Sequence, residues 1–156
     1  MKKWQIHTII VLSITIFIWI SGYTVYGEEK QVLIANMNST FKDTVVANLQ
    51  DEMKGSGIEF SVKSISVLGK VKNEDWDAIV ILHAVKMGKI KGQVKKYLDN
   101  VNDWSKVIVL TTYGSEDIVS STYGIDSITA ASKTEEIASA TEELKNRIRT
   151  VLDSGI

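Results

Sequence analysis

Two runs of apolar residues constrain the fold of this chain more than any other feature. The runs DAIVIL (77–82) and KVIVLTT (106–112) are apolar on both faces, which is typical of central strands in a parallel sheet. The segment between them carries apolar residues at helical spacing, at Ile90, Val94, Leu98 and Val101. A strand, a helix of about three turns and a second strand predict parallel pairing through a right-handed crossover.

The same alternation continues on both sides of this unit. QVLIAN (31–36) and IEFSVKSI (58–65) have the length and pattern of strands, and IDSITAA (125–131) is predicted to be a fifth strand. The connector LGKVKNEDW is too short for a full helix, and SEDIVSS allows only a helical turn or two. The predicted order β-α-β-β-α-β-(α)-β-α indicates a three-layer α/β fold with a doubly wound, five-stranded parallel sheet.

Two polar patterns mark the starts of helices. Thr40 with Asp43, and Ser132 with Glu135, have the spacing of capping boxes. Gly55 is predicted to end the first helix. Each helix has an apolar stripe that should face the sheet. The first stripe is Phe41, Val45, Leu49 and Met53, and the last is Ile137, Thr141, Leu144, Ile148 and Leu152.

The N-terminal segment has the composition of a membrane-spanning helix. Residues 6–26 contain no Asp, Glu, Lys or Arg, and a span of 21 residues is long enough to cross a bilayer as a helix. Lys2 and Lys3 precede it, which predicts a cytoplasmic N-terminus. Residues 1–27 are therefore either a signal anchor or a signal peptide cleaved after Gly27. Both alternatives place domain 28–156 outside the cytoplasm, either membrane-anchored or secreted.

Composition excludes several kinds of site. The chain has no cysteine and only two histidines, His7 and His83, so disulfides, thiolate nucleophiles and a metal cluster are not expected. Of 18 basic residues, 16 remain once Lys2 and Lys3 are set aside, against 19 acidic residues, so residues 28–156 carry a formal charge of −3. Such a weak balance gives no reason to expect nucleic-acid binding. No catalytic constellation of nucleophile and base is visible, so the sequence leaves open whether the protein is an enzyme.

The residues in the second half resemble the flavodoxin-like family. EDWDAIVILHAVKMGKIKGQVKKYLDN is similar to the family's third strand, flavin-contact loop and following helix. KVIVLTTYG resembles its fourth strand and flavin-side loop, and YGIDSITAASKTEEI its fifth strand and last helix. The resemblance covers residues 31–152. It implies a flavodoxin-like fold in which three loops at the carboxyl ends of the strands surround FMN.

The resemblance also implies which residues would contact the flavin. The phosphate would be held by Asn38, Ser39 and Thr40. One side of the isoalloxazine ring would be lined by His83, Ala84, Lys86, Met87 and Gly88. The other side would be lined by Thr111, Thr112, Tyr113 and Gly114.

Each loop departs from the family pattern, and an alternative stands beside each role. The first loop, NMNSTF, has no glycine to allow close approach of a phosphate. The alternative to a phosphate-binding role for Thr40 is that it only caps its helix. His83 alternatively is a hydrogen-bonded rim residue, and Tyr113 alternatively covers the sheet edge. DSITAAS (126–132) resembles a flavin-attachment motif in which Ser132 would carry FMN covalently, although a helix cap also explains Ser132.

A basic segment suggests a partner. KMGKIKGQVKK (86–96) carries five lysines and no acidic residue, which fits an acidic redox partner, a phosphate group or anionic lipid as well as an ordinary solvated helix face. Two functions remain. The first is a membrane-tethered or exported protein that binds FMN and transfers electrons. The second is a flavin-free, flavodoxin-like interaction module outside the membrane.

Overall fold

The computed structural model describes residues 29–86, 89–113 and 128–155. Within them, five parallel strands form one sheet in the order β2-β1-β3-β4-β5. The strands are β1 (Lys30–Asn36), β2 (Ile58–Ser64), β3 (Ala78–Ala84), β4 (Val107–Tyr113) and β5 (Ile128–Ala131). The helices are α1 (Thr40–Glu52), α2 (Gly92–Asn100) and α3 (Ile137–Ser154). The predicted α/β fold with a five-stranded parallel sheet is confirmed.

The helices cover the two faces of the sheet unequally. Alternate residues of a strand point to opposite faces, so Val32 and Ile34 of β1 pack with α1 and α3 on what we call the α1/α3 face. Leu33 and Ala35 pack on the other side, the α2 face. The inward stripe predicted for the first helix is confirmed, because Phe41, Val45, Leu49 and Met53 are all buried.

The connection from β2 to β3 lacks a helix, as the short connector predicted. It consists of two 3-10 turns, Ile65–Lys70 and Asn73–Asp75, and Ile65 and Leu68 are its buried contacts with the α2 face. The outer strand β2 presents polar side chains on that face, at Glu59, Ser61 and Lys63. These side chains tolerate water, so this part of the sheet needs no covering helix.

Both predicted capping boxes differ from the observed helix starts. Ser39, not Thr40, is the N-cap of α1, and its Oγ accepts a hydrogen bond from Lys42 N–H at 3.4 Å. Ser132 caps no helix. A 3-10 turn, Thr134–Glu136, precedes α3, and no side chain caps either element. The Glu136 carboxylate instead accepts a hydrogen bond from Ala131 N–H at 2.7 Å, which replaces the predicted box with a link to the end of β5.

Several predictions lie outside the described residues, among them the leader 1–27, the short turn SEDIVSS, and the first residues of the predicted fifth strand. Across the described ranges, no helix combines the length and the apolarity that crossing a bilayer requires.

Candidate functional site

The carboxyl ends of β1, β3 and β4 form one edge of the sheet, which we call the carboxyl edge. Asn36 is paired with Leu82 across β1 and β3, and Ala84 with Thr112 across β3 and β4. The loops that leave these strands are tied to their neighbours, since Met37 N–H donates to the Leu82 carbonyl at 2.8 Å. In open α/β sheets, ligands bind in the crevice beyond this edge.

The first loop presents the N-terminus of α1 to this crevice. Asn38 and Thr40 are exposed and Ser39 is half-buried, and these three consecutive residues are the predicted phosphate ligands. Ser39 is already engaged with the backbone of Lys42. The free N–H groups and the dipole of a helix N-terminus attract anions.

A buried lysine lies behind this loop, and the sequence interpretation did not include it. Lys42 is only 3% exposed. Its Nζ donates a hydrogen bond to Thr112 Oγ1 at 3.4 Å, so the ammonium reaches from the first turn of α1 to the end of β4. Burial lowers the pKa of Lys42; the nearby Asp43 opposes this change and Lys86 reinforces it.

Lys42 occupies an inward position of α1 that a different spacing would have revealed. Lys42, Val46, Leu49 and Met53 follow one another at intervals of four, three and four residues, and all four are buried. The stripe that begins at Phe41 is therefore only part of the inward face. A charged residue at the first position of an apolar stripe was the available signal.

Asn36 connects the end of β1 to α1. Its side chain is 4% exposed, and Nδ2 donates to Asp43 Oδ1 at 2.7 Å. Among the described residues, Asn36 Oδ1 has no hydrogen-bond partner. Asp43 therefore stabilises a buried amide and supplies a negative charge close to Lys42, while its own side chain stays exposed.

His83 is buried beneath the edge instead of lying at its rim. It is 1% exposed, and its Nε2 lies 3.0 Å from Thr111 Oγ1. Nδ1 has no well-formed hydrogen bond within the described ranges. Burial lowers the pKa of His83 to about 4, while the backbone of Ala84 opposes and Lys42 reinforces this shift. The imidazole is thus neutral at pH 7.

Thr111 and Thr112 complete this buried layer. They are 3% and 1% exposed, and Thr112 Oγ1 donates to the His83 carbonyl at 3.2 Å. Alternation along β4 directs Thr112 to the α1/α3 face and Thr111 to the α2 face. The predicted flavin contacts at His83, Thr111 and Thr112 therefore form a floor of paired polar groups under the crevice.

The rim above this floor is formed by Ala84 and Tyr113, which are half-buried, and by a basic loop. Lys86 and Lys89 form a short antiparallel bridge, with backbone hydrogen bonds of 3.2 and 3.0 Å. Both lysines are exposed. The predicted contacts Met87, Gly88 and Gly114 lie outside the described residues.

Ser132 lies at the same edge of the sheet. It follows β5 directly, its backbone N–H donates to the Tyr113 carbonyl at 3.4 Å, and its side chain is exposed. With no helix to cap, this hydroxyl is available at the rim beside the end of β4.

A second concavity lies at the opposite end of the strands. It has a volume of about 780 Å³ and is lined by residues that precede β3 and β4, including Asn73 and Asp103. Its central polar groups are paired, because Tyr97 Oη donates to Asn73 Oδ1 at 2.6 Å and Asn73 Nδ2 donates to the Asp103 carbonyl at 3.2 Å. None of the lysines in this lining is buried as Lys42 is.

Comparison with known proteins identifies the fold. No protein-family model and no curated protein matches the sequence. A flavodoxin from the domain Archaea is 13% identical, with a TM-score of 0.55, and the match covers 78% of this chain and 98% of that one. Oxidised Flavodoxin 2 from Bacillus cereus is 11% identical, with a TM-score of 0.54 and the same two coverages. An NADH:FMN oxidoreductase in its apo form is 15% identical, with a TM-score of 0.50, covering 80% of this chain and 89% of that one. The chain has a flavodoxin-like fold, as the resemblance implied.

The residues at the carboxyl edge fit the phosphate end of FMN by charge. The loop lacks the glycines that would let backbone N–H groups surround a phosphate closely. Lys42 supplies instead a buried ammonium behind the helix N-terminus. No Asp or Glu within the described ranges lies within ion-pair distance of it. The donors present thus suit an anion.

Proposed function

We propose that this protein binds FMN at the carboxyl edge of its sheet and acts as an electron carrier. The observation that carries the proposal is the Lys42 ammonium, which is buried at the ligand edge of a flavodoxin-like fold without a carboxylate partner among the described residues. A buried cation is costly unless a negative charge accompanies it. The phosphate of FMN would supply that charge.

Each part of the site would have its own task. The N–H groups of the first turn of α1, the hydroxyls of Ser39 and Thr40, and Lys42 Nζ would hold the phosphate. Ala84 and Tyr113 would contact the ring from either side of the crevice, and Tyr113 offers an aromatic face for stacking. When bound, FMN would supply reversible acceptance and release of electrons.

The proposal extends to the location of the protein and to its partner. An apolar segment at residues 6–26 would hold the domain at the outer face of a membrane, or would direct its export if cleaved after Gly27. The segment 86–96 carries five lysines, and those at 86, 89, 91, 95 and 96 are all exposed. Such a basic surface beside the crevice would attract an acidic redox protein.

Covalent attachment at Ser132 is an alternative to phosphate binding at α1 and Lys42. Outside the cytoplasm a loosely held cofactor is diluted away, whereas an attached one is not. The Ser132 hydroxyl is exposed at the rim and has no capping role in the structure. A flavin transferase would move FMN from FAD to Ser132 Oγ and release AMP, and the phosphodiester would keep the cofactor in place. The single phosphate of FMN would then lie at the end of β5 instead of at the N-terminus of α1, since β3 and β4 separate β5 from β1.

A specific observation favours the second function, a flavin-free interaction module. The loop at residues 37–39 has no glycine, and His83, Thr111 and Thr112 bond to one another instead of facing the crevice. The same positive charge at Lys42 would then bind an anionic ligand without a flavin ring.

A flavin-binding experiment separates the two functions. The full chain, in a mild detergent because residues 6–26 are apolar, is mixed with FMN and passed through gel filtration. We expect the flavin to elute with the protein and its fluorescence to be quenched. The bound flavin should also be reducible and reoxidisable. Lys54→Met, which removes an exposed lysine, is the control. If flavin elutes separately from both wild type and this control, the result would favour the flavin-free module. Intact mass after coexpression with a flavin transferase, compared with Ser132→Ala, tests the attachment.

A further inference from the structure

Lys42 is a cation in an apolar setting. It is 3% exposed, and its helix neighbours Phe41 and Val45 belong to the apolar cluster of the α1/α3 face. Lysine is almost never this buried unless it is paired. The position therefore requires an account that packing alone does not give.

The partners of Lys42 in the structure do not neutralise it. Thr112 Oγ1, a neutral group, accepts one hydrogen bond at 3.4 Å. Within the described ranges, no other acceptor for Nζ is found. The nearby acid, Asp43, directs its carboxylate to Asn36 Nδ2 at 2.7 Å. Two of the three N–H donors of the ammonium thus have no acceptor among the described residues.

The surroundings add positive potential. Lys42 is the third residue of α1, where the helix dipole disfavours cations and favours anions. The positive charge of Lys86 also disfavours the charged form of Lys42. An anion in the crevice would be attracted by all three positive groups, because it would face the helix N-terminus and two lysines at once.

We infer that Lys42 determines which ligands this crevice binds, because its positive charge selects a terminal phosphate group. The charge takes the place of a glycine-rich loop whose backbone N–H groups would otherwise bind the phosphate. The inference rests on the proposed function in that the ligand enters the same crevice. Phosphate suits the donors better than carboxylate, because its tetrahedral oxygens can accept from the helix N-terminus, from hydroxyl groups and from an ammonium that approach from different directions. Free phosphate and the phosphate of FMN share this chemistry.

The charge serves ligand binding at the expense of stability in the ligand-free protein. Replacing Lys42 by Met keeps an unbranched side chain and removes the unpaired charge. We expect Lys42→Met to raise the Tm of the ligand-free chain and to weaken phosphate binding about ten- to a hundred-fold. A residue retained only for packing would not combine these two effects.

The experiment measures Tm of the full chain at constant ionic strength with inorganic phosphate, acetate, FMN and riboflavin. Wild type is compared with Lys42→Met, with Lys42→Gln in case the first variant folds poorly, and with the exposed control Lys54→Met. We expect phosphate and FMN, but not acetate or riboflavin, to stabilise wild type and Lys54→Met increasingly with concentration. Both Lys42 variants should lose this response.

The outcomes separate this inference from the FMN proposal. If phosphate binding depends on Lys42 while FMN does not bind, the inference stands and the FMN proposal fails. If FMN and riboflavin bind equally and Lys42→Met changes neither, the inference fails and the FMN proposal stands. A ligand-free Lys42→Met protein less stable than wild type would also overturn the inference, since it would mean that the ammonium already has a counter-charge.

Discussion

The His83 imidazole and the Thr111 hydroxyl lie on neighbouring strands with 3.0 Å between His83 Nε2 and Thr111 Oγ1. Both side chains are buried, so the pair belongs to the interior of the sheet at the point where the ligand crevice begins. The unfolded chain exposes the same imidazole to water. The protonation of His83 is therefore linked to folding.

Acid should destabilise the protein through His83. Its pKa is about 4 in the folded protein, compared with 6.5 for an exposed histidine. Between these values the unfolded state binds more protons, so stability rises with pH and is lost as pH falls, by about 3 kcal/mol in total. Urea unfolding at about pH 7 and pH 4.5 measures this loss. His83→Gln should flatten the dependence, and an unchanged slope in that variant would refute the assignment.

Lys42 should give a second pH dependence at the alkaline end. Its pKa is lowered in the folded protein from an ordinary value of 10.5, so the unfolded state binds more protons over the interval between the two values. Wild type should then gain stability relative to Lys42→Met as pH rises from neutral toward 10.5. Chemical unfolding of both proteins across this range measures the difference, and a constant difference would contradict a lowered pKa.

Asp43 should matter more than its exposed position suggests. Asp43→Ala removes the acceptor of the buried Asn36 amide and a negative charge close to Lys42. We expect a loss of about 1–3 kcal/mol in the free energy of unfolding. Asp51→Ala, which removes an exposed acid from the same helix, should change it by less than about 0.5 kcal/mol. Equal effects in the two variants would show that the contact with Asn36 contributes nothing.

Thr112 links three elements of the site. Its hydroxyl accepts from Lys42 Nζ and donates to the His83 carbonyl, so the nearly isosteric change Thr112→Val should cost about 1–3 kcal/mol. Thr129→Val on β5 is the matched control, because Thr129 is an exposed strand threonine. Urea unfolding of both variants provides the comparison. A similarly small change in the free energy of unfolding of both variants would show that the Thr112 hydroxyl does not stabilise the buried Lys42.

The sequence predicted the sheet well because its signal is local. A short apolar run such as 77–82 can be read without knowledge of its neighbours, since a strand buried on both faces must be apolar throughout. The absence of a helix between β2 and β3 followed similarly from the length of the connector. The shift of the α1 cap from Thr40 to Ser39 was less predictable, because adjacent Ser and Thr residues are comparable caps.

The site depends on contacts that no local pattern specifies. The bond between His83 and Thr111 requires the register of β3 against β4, and a difference of one residue would point either side chain to the opposite face. Lys42 is buried because the first turn of α1 packs beside the end of β4, which is a tertiary contact. The motifs that resemble the family lie in the loops, whereas Lys42 is a helix residue behind them.

The missing crossover helix has a consequence for how this molecule opens. Strand β2 is at the margin of the sheet, has a single neighbouring strand and is packed against helices on one side only. Local fluctuations that expose the polar face of β2 to solvent should begin there, since no α-helix of the described residues covers that face. The crevice is built from β1, β3, β4 and α1, so the margin that frays first is separate from the groups that hold Lys42. The proposed ligand site can thus stay rigid while the outer strand β2 fluctuates.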